Sequence, residues 1–467
     1  MSEDTSSGRS RGWGLDIDLL AANATNAELR SLRRDALEIL RNALDDVDPE
    51  RAVATAVERR GEFLYVLGNR IAIAAGHPIH VVAIGKASAR MATGVLRVFR
   101  PASGLLVAPG APSPPIEGFQ IVPASHPLPD EGSLKAGEAA LQLADGLRPG
   151  DVLLVLLSGG ASAMFEASGV PLAELRDAYA VLLRSGLGIR DVNEVRKGVS
   201  DIKGGRLAER AARRGATVVG LILSDIVGSP IEDIGSGPTA LDSSRGERAK
   251  EILVRHGLWD SMPASVRRSL TVVANTGKRR PLPSGAVHNF IVADNVRACE
   301  AGRQEAERRG YAAHILTTSL EGEARRVGPV LATEALRSDP GARSIAVIVG
   351  GETTVTVHGG GRGGRNQEMA LAAARILEGR TAVLLSCGTD GADGNTEAAG
   401  AIVDGETMVR AQALRLDPEK FLEGNDSYEF FRALGDLIVT GPTGTNVADI
   451  LIVLEDRSRP LPRIQSR

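Results

Sequence analysis

The sequence contains little cysteine and few aromatic residues. Its 467 residues include two cysteines, and aromatic residues make up 3%. Cys299 and Cys387 lack CxxC spacing, and the seven histidines form no HExxH pattern. These absences argue against a disulfide framework and a structural zinc site. Because aromatic residues are rare, the core must be built from aliphatic side chains, which favours an α/β design.

Strong charge and long apolar runs are also missing. The net charge is −3 and the isoelectric point is about 6.2, which, with so few aromatic side chains, predicts no nucleic-acid partner. The first residues are polar, and the longest apolar runs, such as Val152–Leu157, are too short to cross a bilayer. We expect a cytoplasmic protein without membrane association, acting as a monomer or homodimer.

Length and glycine are what the sequence has in excess. A chain of this length exceeds one usual hydrophobic core, so two domains are expected. The 54 glycines concentrate after apolar runs, as ligand-binding loops do. With a break in composition at 281–284, the predicted division is a disordered lead at 1–24, an N-terminal domain at 25–285, a C-terminal domain at 286–455 and a tail at 456–467.

Apolar runs alternate with amphipathic segments and so predict βαβ units, with a doubly wound sheet in the first half and further α/β structure in the second. Helical spacing covers 26–73, with Asn26 as a cap. The later predicted helices are 86–99, 134–147, 172–186, 204–213 and 297–309. The predicted strands lie within 80–89, 151–163 and 216–228, and at 289–293, 312–317, 344–349, 353–357, 382–386 and 449–453, with a hairpin around Gly350 and Gly351.

The candidate site consists of residues that end the apolar runs, because ligands of an open parallel sheet bind beyond the carboxyl ends of its strands. Lys86 directly follows the run VVAIG and is the first candidate catalytic residue. A surface lysine without function is the usual alternative, but emergence from a buried strand argues against it.

Ser158, Gly159 and Gly160 follow the most apolar run of the sequence. Their amides and hydroxyl predict a turn that binds a carboxylate or phosphate. A tight turn without a ligand is the alternative. A nucleophilic Ser158 is a weaker one, because the G-x-S-x-G elbow is absent.

Two further loops of the first half carry acidic and hydroxyl groups. Ser224 and Asp225 end the run GLILSD, and Ser236 and Gly237 follow in SGPT. A carboxylate at a strand end can bind Mg²⁺ through water or take a proton from an alcohol; otherwise it caps a turn. Asp225 is therefore the second candidate catalytic residue.

A glycine-arginine loop in HGGGRGGRNQE precedes a regular helix. Glycines such as Gly361, Gly363 and Gly364 allow amides to approach an anion, and the start of the helix adds a positive end. Arg362 and Arg365 bring guanidinium groups to the same place. The loop therefore predicts a phosphate site, with a flexible hairpin end as the alternative.

Acidic residues near this loop suggest a metal site. Glu352 opens the segment before the loop, and Asp390 and Asp393 lie in TDGADG after the run VLLSCG. The calcium pattern does not match, so Mg²⁺ bound together with a nucleotide fits better. Ordinary Asp-Gly turns are the alternative.

The loop also satisfies the dinucleotide pattern GxGxxG, at Gly359, Gly361 and Gly364, which would indicate a dehydrogenase. That fingerprint needs an acidic residue about 20 positions on, at the end of the next strand, whereas the run AVLLSC ends in Cys387. The patterns GxxxxGK[ST], HRD and DFG are absent from the sequence. A phosphotransferase would thus belong to neither common class.

Six ordered blocks, over roughly residues 25–455, resemble the class II glycerate kinases. The blocks are GKASARMA at 85–92, LSGGASAM at 157–164, LSDIVGSPIEDIGSGPT at 223–239, GGETTVTVHGGGRGGRNQEMAL at 350–371, GTDGADGNTEAAGAIVD at 388–404 and TGPTGTNVADI at 440–450. The sequence departs from the family pattern at Ser229 and at 395–397, so no metal ligand is assigned there.

The resemblance implies Mg²⁺-requiring, ATP-dependent phosphorylation of D-glycerate to 2-phosphoglycerate. It also implies an active site in a cleft between a Rossmann-like, three-layer N-terminal domain and a smaller α/β C-terminal domain. By motif matching, Lys86 and Arg365 correspond to the residues proposed for catalysis. Members have also borne the name hydroxypyruvate reductase, so an NAD(P)H-dependent reductase is the second hypothesis and a non-catalytic sugar-acid sensor the third.

On the kinase hypothesis each group receives a role. Lys86 and Arg365 stabilise the transferred phosphoryl group, Asp225 accepts or orients the glycerate hydroxyl proton, and Glu352 with Asp390 holds Mg²⁺. The Ser158 loop binds the substrate carboxylate or a phosphate. The predicted substrate- and nucleotide-binding residues are Ser158, Gly159, Gly160, Ser224, Ser236, Gly237, Thr353, Gly361, Gly363, Gly364 and Asn366.

Overall fold

The computed structural model describes residues 13–73, 76–241, 246, 248–273 and 282–458. The chain forms two compact units, Pro49–Asp294 and a second unit that combines Met1–Asp48 with Asn295–Arg467. We call them the central unit and the terminal unit. Most of the predicted tail and the first half of the predicted lead lie outside the described residues.

The described chain begins with two helices of the terminal unit, α1 (Ile17–Ala22) and α2 (Ala27–Asp46). Asn26 caps α2 as expected, since its side chain accepts a hydrogen bond from the amide of Leu29 at 2.8 Å.

The elements of the central unit follow in chain order. They are α3 (Pro49–Ala56), β1 (Val57–Arg60), β2 (Phe63–Val66), β3 (Asn69–Ala72), β4 (Ile79–Ile84), α4 (Ser88–Val98), β5 (Ser103–Ala108), β6 (Phe119–Pro123), α5 (Glu131–Gly146), β7 (Val152–Leu157), α6 (Ala161–Met164), α7 (Leu172–Arg184), α8 (Ile189–Gly198), α9 (Arg206–Arg213), β8 (Thr217–Leu223), a 3₁₀ turn (Ile234–Ser236), α10 (Ala249–Arg255), a 3₁₀ turn (Trp259–Ser261), α11 (Ala264–Val273) and β9 (Val287–Ala293).

The rest of the terminal unit follows. Its elements are α12 (Asn295–Arg308), β10 (Ala312–Leu320), α13 (Ala324–Arg337), β11 (Ser344–Gly351), α14 (Arg365–Leu377), β12 (Ala382–Gly388), β13 (Gly400–Asp404), α15 (Thr407–Ala413), α16 (Pro418–Glu423), α17 (Ser427–Leu434), β14 (Leu437–Ile438) and β15 (Asp449–Asp456). Within the described residues, no helix is long and apolar enough to cross a membrane.

The central unit contains the predicted parallel sheet. Its strand order is β6-β5-β4-β7-β8-β9, and every pairing is parallel. All six residues of β7 are buried, as in a strand covered on both faces. Because β4, β7 and β8 are neighbours, the loops that leave their carboxyl ends start side by side.

The terminal unit is a three-layer α/β structure around a mixed sheet of order β10-β11-β15-β12-β13-β14. Alternate residues of its strands face opposite sides. Ile348, Leu385 and Ile452 pack with α1, α2 and α12 in one core. Val349, Leu384 and Leu451 pack with α13, α14 and α17 in the other. The prediction of two α/β domains is therefore confirmed.

The predicted limits of these domains differ from the compact units. Residues 13–24 are ordered, since α1 forms and the indole Nε1 of Trp13 donates to Asp45 at 2.9 Å. Helix α2 belongs to the core of the terminal unit rather than with the N-terminal half. The limit at 285/286 moves to 294/295, because β9 pairs with β8 and completes the parallel sheet.

Two local predictions are wrong. The predicted helix over 26–73 stops at Ala56, because Gly61 and Gly68, both with positive φ, form the turns of the antiparallel sheet β1-β2-β3. The predicted strand at 353–357, with its hairpin, is an irregular segment that makes one isolated bridge, Thr354 to Glu323. The alternation of Thr and Val there has no neighbouring strand to pair with.

A buried ion-pair network joins α2 to the second half of the chain. Arg33 is fully buried; its Nε lies 2.7 Å from Asp404 and its Nη2 lies 2.7 Å from Asp436. Its Nη1 donates to the carbonyl of Leu20 at 2.8 Å. Arg410 contacts the second oxygen of Asp436 at 2.7 Å. Two cations thus neutralise two buried carboxylates, and α2 is bound firmly into the terminal unit.

We expect Arg33→Met to lower the free energy of unfolding of the terminal unit by about 3–5 kcal/mol, because it leaves two carboxylates buried with one cation. Urea unfolding measures this loss. Arg34→Met on the same helix is the matched control: Arg34 is 53% exposed and pairs with Asp18, so its loss should stay below about 1 kcal/mol. Equal effects of the two substitutions would contradict the assignment of α2.

Candidate active site

Lys86 lies at the carboxyl edge of the parallel sheet, as predicted. It follows β4 in a turn and precedes α4, which begins at Ser88. Its side chain is exposed, while its amide donates to the carbonyl of Gly159 at 3.0 Å. The backbone is thus tied to the loop after β7, and the ammonium group is left accessible to a ligand.

Ser158 connects the loops that follow β4 and β7. Its Oγ accepts a hydrogen bond from the amide of Ala87 at 3.1 Å and donates to the carbonyl of Ile84 at 3.2 Å. The residue is 1% exposed. A Cβ at Gly85, where φ is 113°, would lie 2.4 Å from Ser158 Oγ, so this approach requires glycine. The hydroxyl proton is donated to a backbone carbonyl and the side chain is buried, which disfavours a nucleophilic role.

Asp225 lies against the same turn. A Cβ on Gly159 would come within 2.2 Å of Asp225 Oδ2, so the carboxylate packs directly over the backbone of the Ser158 loop. Burial raises the pKa of Asp225, whereas a hydrogen bond from its own amide and the charge of Lys86 lower it. The structure therefore brings Lys86, Ser158, Gly159 and Asp225 together.

The remaining hydroxyl candidates of this unit hold loops in place. Ser236 Oγ donates to Asn193 Oδ1 at 2.8 Å and lies 3.0 Å from Ser162 Oγ. The carbonyl of Gly237, which has a φ of 61°, accepts from the amide of Gly205 at 2.6 Å. Ser224 Oγ bonds to the carbonyl of Ile226 at 3.2 Å. Their hydroxyls and carbonyls position backbone at this edge.

Two basic residues of this region were missed by the sequence reasoning. His126 follows β6, and a Cβ on Gly160 would lie 3.3 Å from its ring carbon Cδ2. Desolvation lowers the pKa of His126, and the positive charges of Lys86 and Arg196 lower it further. A lone histidine in a proline-rich loop and an arginine within α8 carry no distinguishing sequence signal.

Arg365 is the first residue of α14 in the terminal unit, and two carboxylates hold it. Its Nε and Nη2 donate to the two oxygens of Asp449 at 2.6 and 2.9 Å, and its Nη1 donates to Glu352. Burial alone would lower the pKa of Arg365, but the hydrogen bond and charge of Asp449 outweigh it and raise the pKa. Asp449 was not among the predicted site residues.

The amides of the glycine-arginine loop do not form the predicted open anion cradle. Gly359 donates to Asn425 Oδ1 at 2.9 Å, Gly361 to the carbonyl of Gly424 at 3.0 Å, and Gly363 to Asn395 Oδ1 at 3.0 Å. These donors are therefore already occupied inside the protein, and a phosphate would have to displace them.

The start of α14 is capped from within the protein. Asp393, 1% exposed, accepts from the amides of Asn366 and Gln367 at 3.1 and 2.9 Å. A Cβ on Gly364 would lie 2.3 Å from the carboxyl carbon of Asp393. Burial raises the pKa of Asp393 to about 6, although the two amides lower it. A carboxylate thus already satisfies the positive end of the helix.

Asn366 and Thr353 lie behind Arg365. Asn366 Oδ1 accepts from Ser386 Oγ at 2.6 Å. Thr353 is 3% exposed, and its hydroxyl has no hydrogen-bond partner among the described residues. Both line a cavity of about 10 Å³ beside Asp449, which is room for about one water molecule. Neither side chain reaches the surface.

Glu352 and Asp390 are the predicted Mg²⁺ ligands. Both are exposed; Glu352 contacts Arg365, and Asp390 accepts from the amide of Ala392 at 3.1 Å. Among the described residues, no group of three or more His, Cys, Asp or Glu residues could hold a metal ion. Mg²⁺ commonly uses one or two carboxylates together with substrate phosphates, and each of these exposed carboxylates could serve singly in that mode.

We expect the stability of the terminal unit to depend on the ionisation of Asp393. Its folded-state pKa of about 6 exceeds the ordinary value of 3.8, so the folded state binds the proton more tightly. The contribution of Asp393 to the free energy of unfolding should fall by up to about 3 kcal/mol as pH rises from 4 to 7. Urea unfolding of the wild type and of Asp393→Asn tests this: the free energy of unfolding of the wild type minus that of the variant should fall over that range, and a constant value would contradict the prediction.

Two family models match the chain. A model described as a domain of unknown function (DUF4147) covers residues 35–271. A model described as the MOFRL family covers residues 345–449. The first match spans most of the central unit, and the second lies within the terminal unit.

Proteins of known name and structure resemble the chain over most of its length. It is 38% identical to the glycerate 2-kinase of Pyrococcus horikoshii, over 92% of this chain and 98% of that protein. The crystal structure of a glycerate kinase from Thermotoga maritima matches with a TM-score of 0.80 and 39% identity, covering 91% of this chain and 99% of that one. An Agrobacterium vitis protein with the provisional name hydroxypyruvate reductase is 39% identical over 80% of this chain and 86% of its own length. The chain belongs to the glycerate kinase family.

Proposed function

We propose that this protein transfers the terminal phosphoryl group of ATP to D-glycerate and forms 2-phosphoglycerate. The observation that carries the proposal is the 38% identity to the glycerate 2-kinase of Pyrococcus horikoshii over nearly the whole of both chains. Identity of this extent across both units makes the same reaction class the expected one. The chemistry of the strand-end residues is consistent with it.

Lys86 and Asp225 supply two of the groups that the reaction needs. The exposed ammonium of Lys86 stabilises negative charge on the phosphoryl group as it is transferred. The glycerate hydroxyl oxygen attacks the phosphorus, ADP leaves, and the hydroxyl proton passes to the Asp225 carboxylate. The burial that raises the pKa of Asp225 makes it a better proton acceptor than an exposed aspartate. The Ser158 loop binds the substrate carboxylate.

Arg365 supplies the second cation. Asp449 holds it through two nitrogens and fixes the plane of the guanidinium, while Glu352, 45% exposed, contacts the third nitrogen. We infer that Nη1 exchanges Glu352 for the phosphoryl group when the nucleotide binds. Mg²⁺, held by Glu352 and Asp390 together with the nucleotide, would neutralise phosphate charge.

The reductase hypothesis has less support. A dinucleotide fingerprint requires a tight turn directly between a strand and a helix. In this structure residues 352–364 separate β11 from α14, and the amides of Gly359 and Gly361 are bonded within the protein. The name hydroxypyruvate reductase belongs to a relative that matches less of the chain.

One assay distinguishes the reactions. With ATP, Mg²⁺ and D-glycerate, the protein should release ADP, and ³¹P NMR should identify 2-phosphoglycerate as the phosphorylated product. Omitting D-glycerate should abolish ADP release. Consumption of NADH or NADPH with hydroxypyruvate, without ADP release in the first assay, would favour the reductase instead. A 3-phosphoglycerate product would support the kinase function but show that the protein phosphorylates the other hydroxyl of glycerate.

We expect Lys86→Ala and Arg365→Ala each to lower kcat by ~10²-fold or more, because each removes a charge that stabilises the transferred phosphoryl group. Arg365→Lys should recover little, since lysine lacks the two-nitrogen fork that Asp449 holds. Lys135→Ala, at an exposed position on α5, is the control and should retain wild-type kcat. Wild-type kcat in either alanine variant would remove that residue from the mechanism.

A further inference from the structure

An open groove of about 620 Å³ lies beside the glycine-arginine loop, entirely within the terminal unit. Gly360 and Gly361 form one side, and residues at and after the end of α15 and in α16 form the other. The lining includes Gly360, Gly361, Arg415, Leu416, Lys420 and Phe421. Its volume falls in the range of about 300–1,000 Å³ that is usual for small-molecule sites.

Two cations in the groove have capacity to bind a ligand. Arg415 is exposed, has a φ of 56°, and forms no ion pair with any described residue. Lys420 is 81% exposed and lies 3.9 Å from Asp417, a distance at which an exposed pair contributes little. The two carboxylates of the groove already accept amide hydrogen bonds: Asp417 from Glu419 at 3.2 Å and Asp426 from Arg362 at 2.9 Å. Both carboxylates keep their negative charge, so the four charged groups of the lining sum to zero. Arg415 is the cation that no carboxylate of the described residues holds, and it is the group available to an anion.

Apolar surface lies next to these cations. Leu416 and Phe421 are half-buried and belong to the periphery of the core formed by α13, α14 and α17. The ring of Phe421 packs edge-on against Phe430, with centroids 5.5 Å apart, which fixes its orientation. A ligand with a flat aromatic group and an anionic group matches this apolar surface together with the unpaired Arg415.

Gly360 differs from the other glycines of its loop. It is exposed, its amide forms no hydrogen bond with the described residues, and a Cβ built on it would meet no atom within 4 Å. By contrast, a Cβ on Gly359 or Gly361 would lie 2.1 or 2.5 Å from its nearest atom. The Gly360 amide is therefore available to a ligand, and it lies on the side of the groove.

The groove is within reach of Arg365. Arg365 is four positions after Gly361, so their Cα atoms are at most about 14 Å apart even in a fully extended chain. An extended nucleoside triphosphate covers such a distance. A nucleotide whose base lies in the groove could therefore present its terminal phosphoryl group to the Arg365 guanidinium.

We propose that this groove is the binding site of the nucleoside triphosphate. The base packs on Leu416 and Phe421, Arg415 and Lys420 neutralise phosphate charge, and the Gly360 amide donates to a phosphate oxygen. The delivery of the terminal phosphoryl group to Arg365 rests on the proposed kinase function. Binding of the nucleotide in the groove does not require turnover.

Two variants test the groove with a fluorescent N-methylanthraniloyl derivative of ATP as the probe. Gly360→Leu places a side chain in open space and fills the groove, and the double substitution Arg415→Gln and Lys420→Gln removes both cations from exposed positions. Each should raise the Kd of the probe by about tenfold or more, since loss of one charge-assisted contact has an effect of this size. The KM for ATP should rise in parallel, and the KM for D-glycerate should stay unchanged.

Matched controls separate the groove from general surface effects. Gly146→Leu places a leucine at another exposed glycine with open space around its Cβ, and Arg337→Gln removes an exposed arginine from α13. Both should bind the probe as the wild type does. Wild-type affinity for the probe in the two groove variants would contradict nucleotide binding in the groove and would leave the proposed kinase function unaffected. Groove-dependent binding without glycerate-dependent ADP release would support the groove and contradict the kinase function.

Discussion

The ion pair between Arg365 and Asp449 depends on the direction of one strand. β15 runs antiparallel between β11 and β12, so its first residue, Asp449, lies in register with the last residues of those strands, Gly351 and Gly388. A carboxylate is thereby placed at the edge where the functional loops begin. If β15 ran parallel to its neighbours, Asp449 would lie at the opposite edge of the sheet, and Arg365 would have no partner there.

Arg365 stabilises the fold in addition to its proposed role in catalysis, because buried carboxylates surround it. Burial raises the pKa of both Asp449 and Asp393, and the charge of Asp449 contributes to the shift at Asp393. Arg365 compensates part of that negative charge in a desolvated place. Lys86 is different, because it is exposed and its backbone alone is tied to neighbouring loops. Loss of Arg365 should therefore also affect folding, whereas loss of Lys86 should affect activity alone.

The sequence predicts the regular parts of the fold well. Fully buried strands such as Val152–Leu157 and capped helices such as α2 carry strong local signals, and both begin next to the predicted first residue, although the predicted ends at 163 and 73 lie too far along the chain. The errors arise where long-range contacts decide the structure. Helix α2 packs on β-strands more than 300 residues later in the chain, and no local pattern reveals that. The amphipathic spacing near residue 60 is likewise overruled by turns at Gly61 and Gly68.

The residues of the candidate site also differ in whether local sequence or long-range contacts position them. Strand-end residues such as Lys86 and Asp225 could be predicted, because the carboxyl edge of a parallel sheet follows from the strands alone. Asp449 could not, because it is the first residue of its strand, and only the antiparallel direction of β15 brings that end to the same edge. His126 lacked a signal because its proximity to Gly160 arises from the path of an irregular loop.

The glycine-arginine loop illustrates why a glycine-rich sequence has two physical explanations. A missing Cβ can admit a ligand to the backbone, or it can admit another part of the same protein. At Gly361, Gly363 and Gly364 a Cβ would lie 2.5 Å or less from Asp426, Ser427 or Asp393, so those glycines are required by internal packing. Gly360 alone in this loop has open space around its Cβ. Because the packed glycines hold the loop rigid at its ends, the Gly360 backbone is presented to the groove in a fixed conformation, which lowers the entropy cost of binding a ligand there.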